Sequence, residues 1–476
     1  MPVVDILEIG KQGMDASRQS LQTSSNNVAN ANTPGYSRQR TQLATNEQPP
    51  GGHSRIHGVN VKETIRVHDQ FIQKRIVNES QILGATRARK ENLGLVEGMV
   101  HNDAYRVNDM VNKFFNDFRE LSANPEVTSI RNNVAFSAKE AARGFQTLSE
   151  SLTGLKTTMD GQIDAAVRHV NTLAREVADL NREIEQAQAR GEAPLELEDR
   201  RDSALREIAT KLGFQESKDG KDHVNLTVGG MGVLVNGTTS NELMVMRTPA
   251  QGSKSAGSLD IFVKDGNGFR KVSGAINDGE IGGLLHVRDQ VINPTLGHLD
   301  RVAYEFASKV NNIHRDGVGA DGKHGRDLFE QPSEVDGAAG MIRVSDAIAQ
   351  NSSAVAVGMN DDAPSDNRVA LAIAGLQSER LLPEQIGTDG TAHHTLNDSL
   401  TAMVGKVAVE TQHEENTFAH QDAIMRQLET YRQSVSGVNL DEEAISMMQS
   451  QAVFQASAKA MKVGDEMLRT ILSIKE

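Results

Sequence analysis

The sequence predicts a mainly α protein with a small antiparallel β domain inserted in its middle. The molecule should be elongated and nested, with its N- and C-terminal helices paired as a coiled coil. Three observations carry this expectation. Heptad-spaced apolar residues mark both ends of the chain, and long runs with three- and four-residue apolar spacing flank the middle. Residues 213–282 alone switch to short alternating runs rich in Gly, Val and Thr. The expected units are an N-terminal helix and arm at 1–62, a first helical-bundle part at 63–212, the β insert at 213–282, a second bundle part at 283–436 and a C-terminal helix at 437–476. The chain of 476 residues has only 4% aromatics and no Trp, which favours thin helical domains over one large core.

At the N-terminus, Leu7, Met14, Leu21 and Val28 recur every seventh residue, with Gly10, Ser17 and Ser24 midway between them. This is the seam of a helix that meets another helix, with small residues allowing close approach. The seam ends abruptly. Asn30 and Asn32 tolerate left-handed backbone, and Thr33-Pro34-Gly35-Tyr36 has Pro and Gly in the order of a type II turn. Pro34 also disfavours helical geometry at Thr33. A lone helix this rich in Ser and Asn is marginal in water and needs a partner.

The C-terminus offers one through Leu440, Ala444, Met447, Gln451, Phe454, Ala458, Met461, Asp465, Leu468 and Leu472. Asn439 is placed to cap that helix, with Asp441, Glu442 and Glu443 at the positive end of its dipole. Periodicity alone fits two ordinary core helices equally well.

Between the ends, residues 41–62 read as a loop or short extended arm, broken at Pro49-Pro50-Gly51-Gly52. A helical pattern runs over 69–121 and stops at Asn124-Pro125. Another helix is expected over 129–152. Ile163, Ala166, Val170, Leu173, Val177, Leu180, Ile184 and Ala187 then form the longest repeat, ending at Gly191 and Pro194. A short helix through Leu205, Ile208 and Leu212 follows. Strands are expected at 224–228, 233–235, 243–246 and 259–263, with turn signals at Asn236-Gly237, Asp265-Gly266 and Asn267-Gly268. Helices resume at Gly282, bend or break at Pro294, give way to a Gly-rich loop at 316–327 and mixed structure at 340–357, and return over 365–382 and 395–434.

The charge of −14 argues against a nucleic-acid partner, which needs clustered positive charge. Arg87, Arg89 and Lys90, the densest basic cluster, read as a solvated helix face. Absence of Cys excludes disulfides, thiolate metal sites and Cys nucleophiles. No stretch is long enough to span a membrane and no secretory signal is visible, which alone reads as cytoplasmic. His413, Glu414 and His420 lack the spacing of a zinc helix, and His393-His394 read as solvated beside a helix start. Asp316, Asp321 and Asp327 fail the EF-hand pattern. The glycines of 228–232 lack a phosphate-binding Lys, and no nucleophile elbow is present. No catalytic, cofactor or metal site is therefore expected.

The run from Ser25 to Gln39, SNNVANANTPGYSRQ, resembles the N-terminal signature of bacterial flagellar rod, hook and hook-associated proteins, and residues 436–475 resemble their terminal helix. Tyr36-Ser37-Arg38-Gln39, residues 195–212 and the loop before Leu328-Phe329 point to the hook–filament junction members of that family. The resemblance is strong at both termini, moderate over the helical region and weak in the middle.

It implies a non-enzymatic structural protein that self-assembles and sits outside the cell after export without a cleaved signal peptide. The implied partners are the flagellar hook protein, the next hook-associated protein and through it flagellin, with an export chaperone at the C-terminal helix. Leu7, Met14, Leu21, Val28, Leu440, Met447, Phe454, Met461 and Leu468 are the expected axial packing residues. Asn30, Asn32, Thr33, Pro34, Gly35 and Tyr36 are expected to set the turn out of the inner helix. Another axial protein of hook or rod is the nearest alternative, and an enzyme with a site in the β insert is a more distant one.

Overall fold

A computed structural model describes residues 2–45, 58–101, 106–230, 232–248, 258–265, 268–360, 363, 365–382 and 394–473. Pro49-Pro50-Gly51-Gly52 and His393 lie outside the described residues. Helix α1 (Pro2–Ala29) leads into an antiparallel pair, β1 (Gln39–Thr45) and β2 (Val59–Arg66). The segment expected as a loop or arm is thus a β ribbon. It runs through Arg66, past position 62 where the arm was expected to end.

Four helices follow: α2 (Gln70–Val100), α3 (Val107–Ala123), α4 (Thr128–Ala189) and α5 (Leu195–Lys211). The single helical pattern expected over 69–121 is two helices. Val96, Val100, Val107 and Val111 are all buried on either side of the interruption, so apolar spacing continues where the backbone does not. The reverse correction applies to α4. The helices expected over 129–152 and 163–187 are one helix of 62 residues. Leu152, Leu155, Met159 and Ile163 carry its buried stripe across the join, while Gly154 and Gly161 face open space. Each glycine costs about 1 kcal/mol of helix propensity and breaks nothing. The helix ends as expected at Gly191, whose φ is +77°. Glu192 N–H donates to Ala187 O at 3.0 Å and Gly191 N–H to Gln188 O at 2.9 Å, closing a Schellman cap.

The insert forms two antiparallel sheets. One orders β3 (Gln215–Lys218), β4 (Val224–Val228), β5 (Gly232–Asn236) and β6 (Thr239–Ser240); the other orders β7 (Leu243–Thr248), β8 (Ser258–Asp265) and β9 (Gly268–Lys271). The Asn236-Gly237 turn joins β5 to β6, with Gly237 at φ +57°. Both sheets are fastened to α4 by buried asparagines that mimic a strand. Asn181 Nδ2 donates to Val224 O at 2.9 Å and Gly237 O at 2.7 Å, and Asn171 exchanges two bonds with the backbone of Leu243 at 2.8 and 2.9 Å. The apolar faces of both sheets are continuous with the helical core.

Helix α6 (Gly279–His286) starts three residues before the expected Gly282 and passes through a π-helical stretch, Val287–Ile292, into α7 (Asn293–Arg315). The break expected at Pro294 takes this form because a proline has no N–H for the ladder, and a widened turn accommodates its ring without ending the helix. Short elements follow: β10 (Val318–Gly319), β11 (Phe329–Glu330), α8 (Ala338–Met341), β12 (Arg343–Val344), α9 (Asp346–Gln350), β13 (Ala356–Gly358) and α10 (Arg368–Gly375). Helix α11 (Leu396–Ser436) begins with a capping box between Thr395 and Asp398 and runs along α2. Helix α12 (Leu440–Ser473) returns to pair with α1.

The aromatic poverty of the sequence hides a concentration. Six of the 13 phenylalanines, Phe114, Phe115, Phe118, Phe145, Phe306 and Phe329, meet in one fully buried cluster of α3, α4, α7 and β11. Phe114 stacks edge-on to Phe118 at 5.0 Å between ring centroids, and Phe306 meets Phe329 at 5.1 Å.

Candidate assembly site

Helices α1 and α12 run antiparallel. Leu7 lies against Gly464, Gly10 against Met461 and Gly13 against Ser457, and Ser24 Oγ donates to Ser446 Oγ at 3.3 Å. A Cβ on Gly10 would sit 2.6 Å from Met461 Cγ, so the approach depends on glycine. The face of α12 turned to α1 contains Glu443, Ser446, Met447, Ser450, Ser457, Ala458, Met461, Gly464 and Leu468. The expected seam is therefore rotated by one position at Ala444, Gln451 and Asp465, while Ala458 is half-buried on it as expected. Ala444 and Gln451 are exposed, and Asp465 pairs with Arg469 at 3.0 Å in solvent. Glu443 wins its position through Asn27 and Arg38, and Ser450 and Gly464 win theirs because they bring the backbones together, whereas Asp465 turned inward would be stripped of water without a partner.

Leu7, Met14 and Leu21 are half-buried, as are Met447, Met461 and Leu468. Val28 is 40% exposed, Leu440 54% and Phe454 37%. The residues truly buried on α1 are small or polar: Gly10, Ala16, Ser17, Thr23, Ser24 and Asn27. The apolar side chains flank this seam, and α12 leaves a further set in solvent, among them Ile445, Met448, Val463, Met467 and Ile471.

The turn out of α1 is of the expected kind. Tyr36 N–H donates to Thr33 O at 3.2 Å, with Pro34 and Gly35 between them and Gly35 at φ +84°. The asparagines do not serve as expected. Among the described residues Asp222 is the one non-glycine with positive φ. Asn30 instead ties off the helix, its Nδ2 donating to Asn26 O and Oδ1, both at 3.0 Å, and its Oδ1 accepting from Thr33 Oγ1 at 3.2 Å. Asn32 is exposed.

The hub of the turn is Asn27, which the sequence reading passed over. It is 1% exposed, yet all four of its amide hydrogen bonds are made. Its Oδ1 accepts from Tyr36 Oη at 2.8 Å and Gln39 N–H at 2.9 Å. Its Nδ2 donates to Gln39 O at 2.9 Å and Glu443 Oε1 at 3.1 Å. Burial, reinforced by the carboxylates of Asp199, Glu196 and Glu443, pushes the Tyr36 hydroxyl up to about 12 and keeps it a donor.

Arg38 crosses to the other terminus, with Nε to Glu443 Oε1 at 2.8 Å and Nη1 to Glu442 Oε2 at 2.7 Å. Its own N–H donates to Ser436 O at 2.9 Å. The acidic start of α12, expected to serve its dipole, is thus also the acceptor set for the N-terminal turn. The only sequence signal for it was an Arg and a pair of Glu more than 400 positions apart.

A second cluster fastens the ribbon to α5. Ser37 N–H donates to Asp199 Oδ2 at 3.1 Å. Arg66 Nη1 donates to Asp199 Oδ1 at 2.7 Å and Asp202 Oδ2 at 3.0 Å, and its Nε lies 2.9 Å from Glu198 Oε2. Burial works against the Arg66 charge, but Asp202, Asp199 and Glu198 outweigh it and raise its pKa. Glu198 shifts up as well, because its own burial exceeds the pull of Arg66. Arg66 has three carboxylates to draw on, whereas Asp202 and Asp222 add to the burial that holds Glu198 up against the pull of Arg66 and Arg201.

The basic cluster at 87–90 is not a free solvated face. Arg87 and Lys90 lie over the Phe418 ring at 5.8 and 4.5 Å, and Arg89 reaches Glu414 at 3.5 Å, docking α2 on α11. Asp321 and Asp327, weighed above as calcium ligands, are held by Arg326 and Arg315. His413 and His420 are exposed on α11. Among the described residues, no group of three or more His, Asp or Glu is placed to hold a metal, and no helix is long and apolar enough to cross a membrane.

Residues 93–329 match the family described as Flagellar hook-associated protein FlgK helical domain. Residues 7–36 match Flagella basal body rod protein, and 432–474 match Flagellar basal body rod FlgEFG protein C-terminal. Flagellar hook-associated protein 1 of Bacillus subtilis (strain 168) is 28% identical over 501 residues, covering 98% of this chain and 97% of the relative. The protein of the same name from Salmonella typhimurium is 24% identical over 561 residues, covering 97% and 98%. The flagellar hook junction protein FlgK from Burkholderia pseudomallei shares the fold, with a TM-score of 0.67 at 14% identity over 76% of this chain and 100% of that one.

Proposed function

Since the chain belongs to the flagellar hook-associated protein 1 family of axial proteins, we propose that it builds the junction between hook and filament as a structural, non-enzymatic ring of identical copies. The single observation that best supports this reading is the α1/α12 pair. Its seam is closed by small residues, while a row of apolar side chains on α12 stays in solvent. Such a surface is completed by neighbouring copies, where Met side chains adapt to small shifts in packing. In this reading the hook protein lies on one side of the ring. The next hook-associated protein, and through it flagellin, lies on the other. The chain leaves the cell through the flagellar export route, with a chaperone covering the C-terminal helix beforehand.

The test is electron microscopy of cells lacking the gene, with the medium assayed for flagellin. Bare hooks and monomeric flagellin in the medium are expected. Absent hooks would move the protein to rod or hook, and normal flagella would overturn the reading.

A further inference from the structure

We infer that Asp199 is a positioning residue that fixes the angle between the axial helix pair and the bundle, so that the junction carries load without flexing at this elbow. The inference rests on the junction reading and adds a mechanical role for one side chain.

The argument starts from where the ribbon meets the bundle. Chain leaving α1 passes Ser37 and enters β1 at Gln39; chain returning along β2 leaves it at Arg66 and enters α2 at Gln70. Gln39 pairs with Arg66 across the ribbon, so its outgoing and returning ends lie side by side. Asp199 reaches both. One carboxylate oxygen accepts from the Ser37 backbone at 3.1 Å, and the other accepts from Arg66 at 2.7 Å. Asp199 is 8% exposed, which shields the pair of bonds from water and salt. It stands on α5, which packs against both α2 and α4. Force carried along α1 therefore meets the rigid bundle at this two-pronged group and at the Arg38 N–H bond to Ser436 O at the end of α11, and only the former grips both ends of the ribbon.

Glu198 and Asp202 cannot replace it. Both reach Arg66 from the same helix, and neither bonds to the outgoing strand. Removal of Asp199 leaves Arg66 paired, so the ribbon stays attached by its returning end while the outgoing end keeps only the Arg38 N–H bond to Ser436 O and loses its tie to α5. The segment 195–212, which the sequence reading singled out without giving it a role, thereby acquires one.

The test compares Asp199→Ala and Asp199→Asn in the full chain, expressed in cells lacking the gene, with flagellin in the medium measured before and after controlled shear. Asp199→Ala should assemble filaments in still culture and shed at least tenfold more flagellin than wild type under shear, with the melting temperature of the purified chain unchanged. Asp199→Asn keeps one acceptor and should fall between the two; it carries the test alone if the Ala chain melts early. Asp202→Asn, which touches only Arg66, should shed like wild type. Shear resistance equal to wild type in both Asp199 variants would overturn the clamp and leave the junction reading intact. Loss of the junction reading would show separately, as normal flagella in cells lacking the gene.

Discussion

The bundle and the axial pair are both built from long helices, yet they bury different things. In the bundle, Val134, Phe145, Leu152, Met159, Ile163 and Val170 of α4 are wholly inside, against an aromatic cluster and the apolar faces of two sheets. In the axial pair the enclosed residues are Gly, Ala, Ser, Thr, Asn and the single Glu443, and the large apolar side chains stand at the rim or in water. Hydrophobic stabilisation follows apolar area removed from water, so the first region is finished within one copy and the second is not. What holds the axial pair in register is polar: Asn27, Arg38 and Glu443 at its base and close backbone approach along its length. Direction and spacing come from these contacts, and most of the free energy has to come from neighbours.

The contrast can be broken most severely from the bundle side. Phe306→Ala removes the ring that meets Phe114, Phe115, Phe145 and Phe329, and should cost roughly 3–5 kcal/mol in chemical denaturation. A cost below about 1 kcal/mol would mean that the cluster is not the centre of the bundle.

The next effect is set by pH. His314 is buried, with Nδ1 donating to Arg326 O at 2.7 Å and Nε2 accepting from Ala356 N–H at 2.9 Å. Burial lowers its pKa from 6.5 to about 4. Between those values the unfolded chain binds the proton and the folded chain does not. Its contribution to stability is therefore full above pH 6.5 and is lost as pH falls towards 4, by about 3 kcal/mol in all. Denaturation series across that window should show the fall in wild type, and His314→Leu should flatten it from a lower starting stability.

The smallest effect on the isolated chain is expected from the axial side. Gly10→Leu drives a side chain into Met461, yet should move bundle stability by less than about 0.5 kcal/mol. Filament attachment in cells should nevertheless fail. A large drop in bundle stability with attachment retained would invert the comparison.

How much of this the sequence disclosed follows the same division. Long elements with strong periodicity were legible: the end of α4 at Gly191, the cap at Asn439, the start of α11 near Thr395, four strands of the insert (β4, β5, β7 and β8) and the type II turn at Pro34-Gly35. Continuity was not. Apolar spacing persists across the true gap between α2 and α3, while the gap expected in α4 between residues 152 and 163 does not exist. The face of α12 was misplaced by one residue at Ala444, Gln451 and Asp465 because a strict heptad was extended from Met447, Met461 and Leu468, and the neighbouring Glu443, Ser450 and Gly464 make the contact. Asn27, Asp199 and Arg66 escaped notice because a polar residue gains its role from partners far away in sequence.

The most direct measurement is amide hydrogen exchange on the free full-length monomer, resolved to individual helices. The amides of α4 around Phe145 and Ile163 should exchange only through global unfolding. Those of α1 and α12 should exchange at least about a thousandfold faster, through local opening. Protection of α1 equal to that of α4 would show that the axial pair is complete in one copy and would contradict the account.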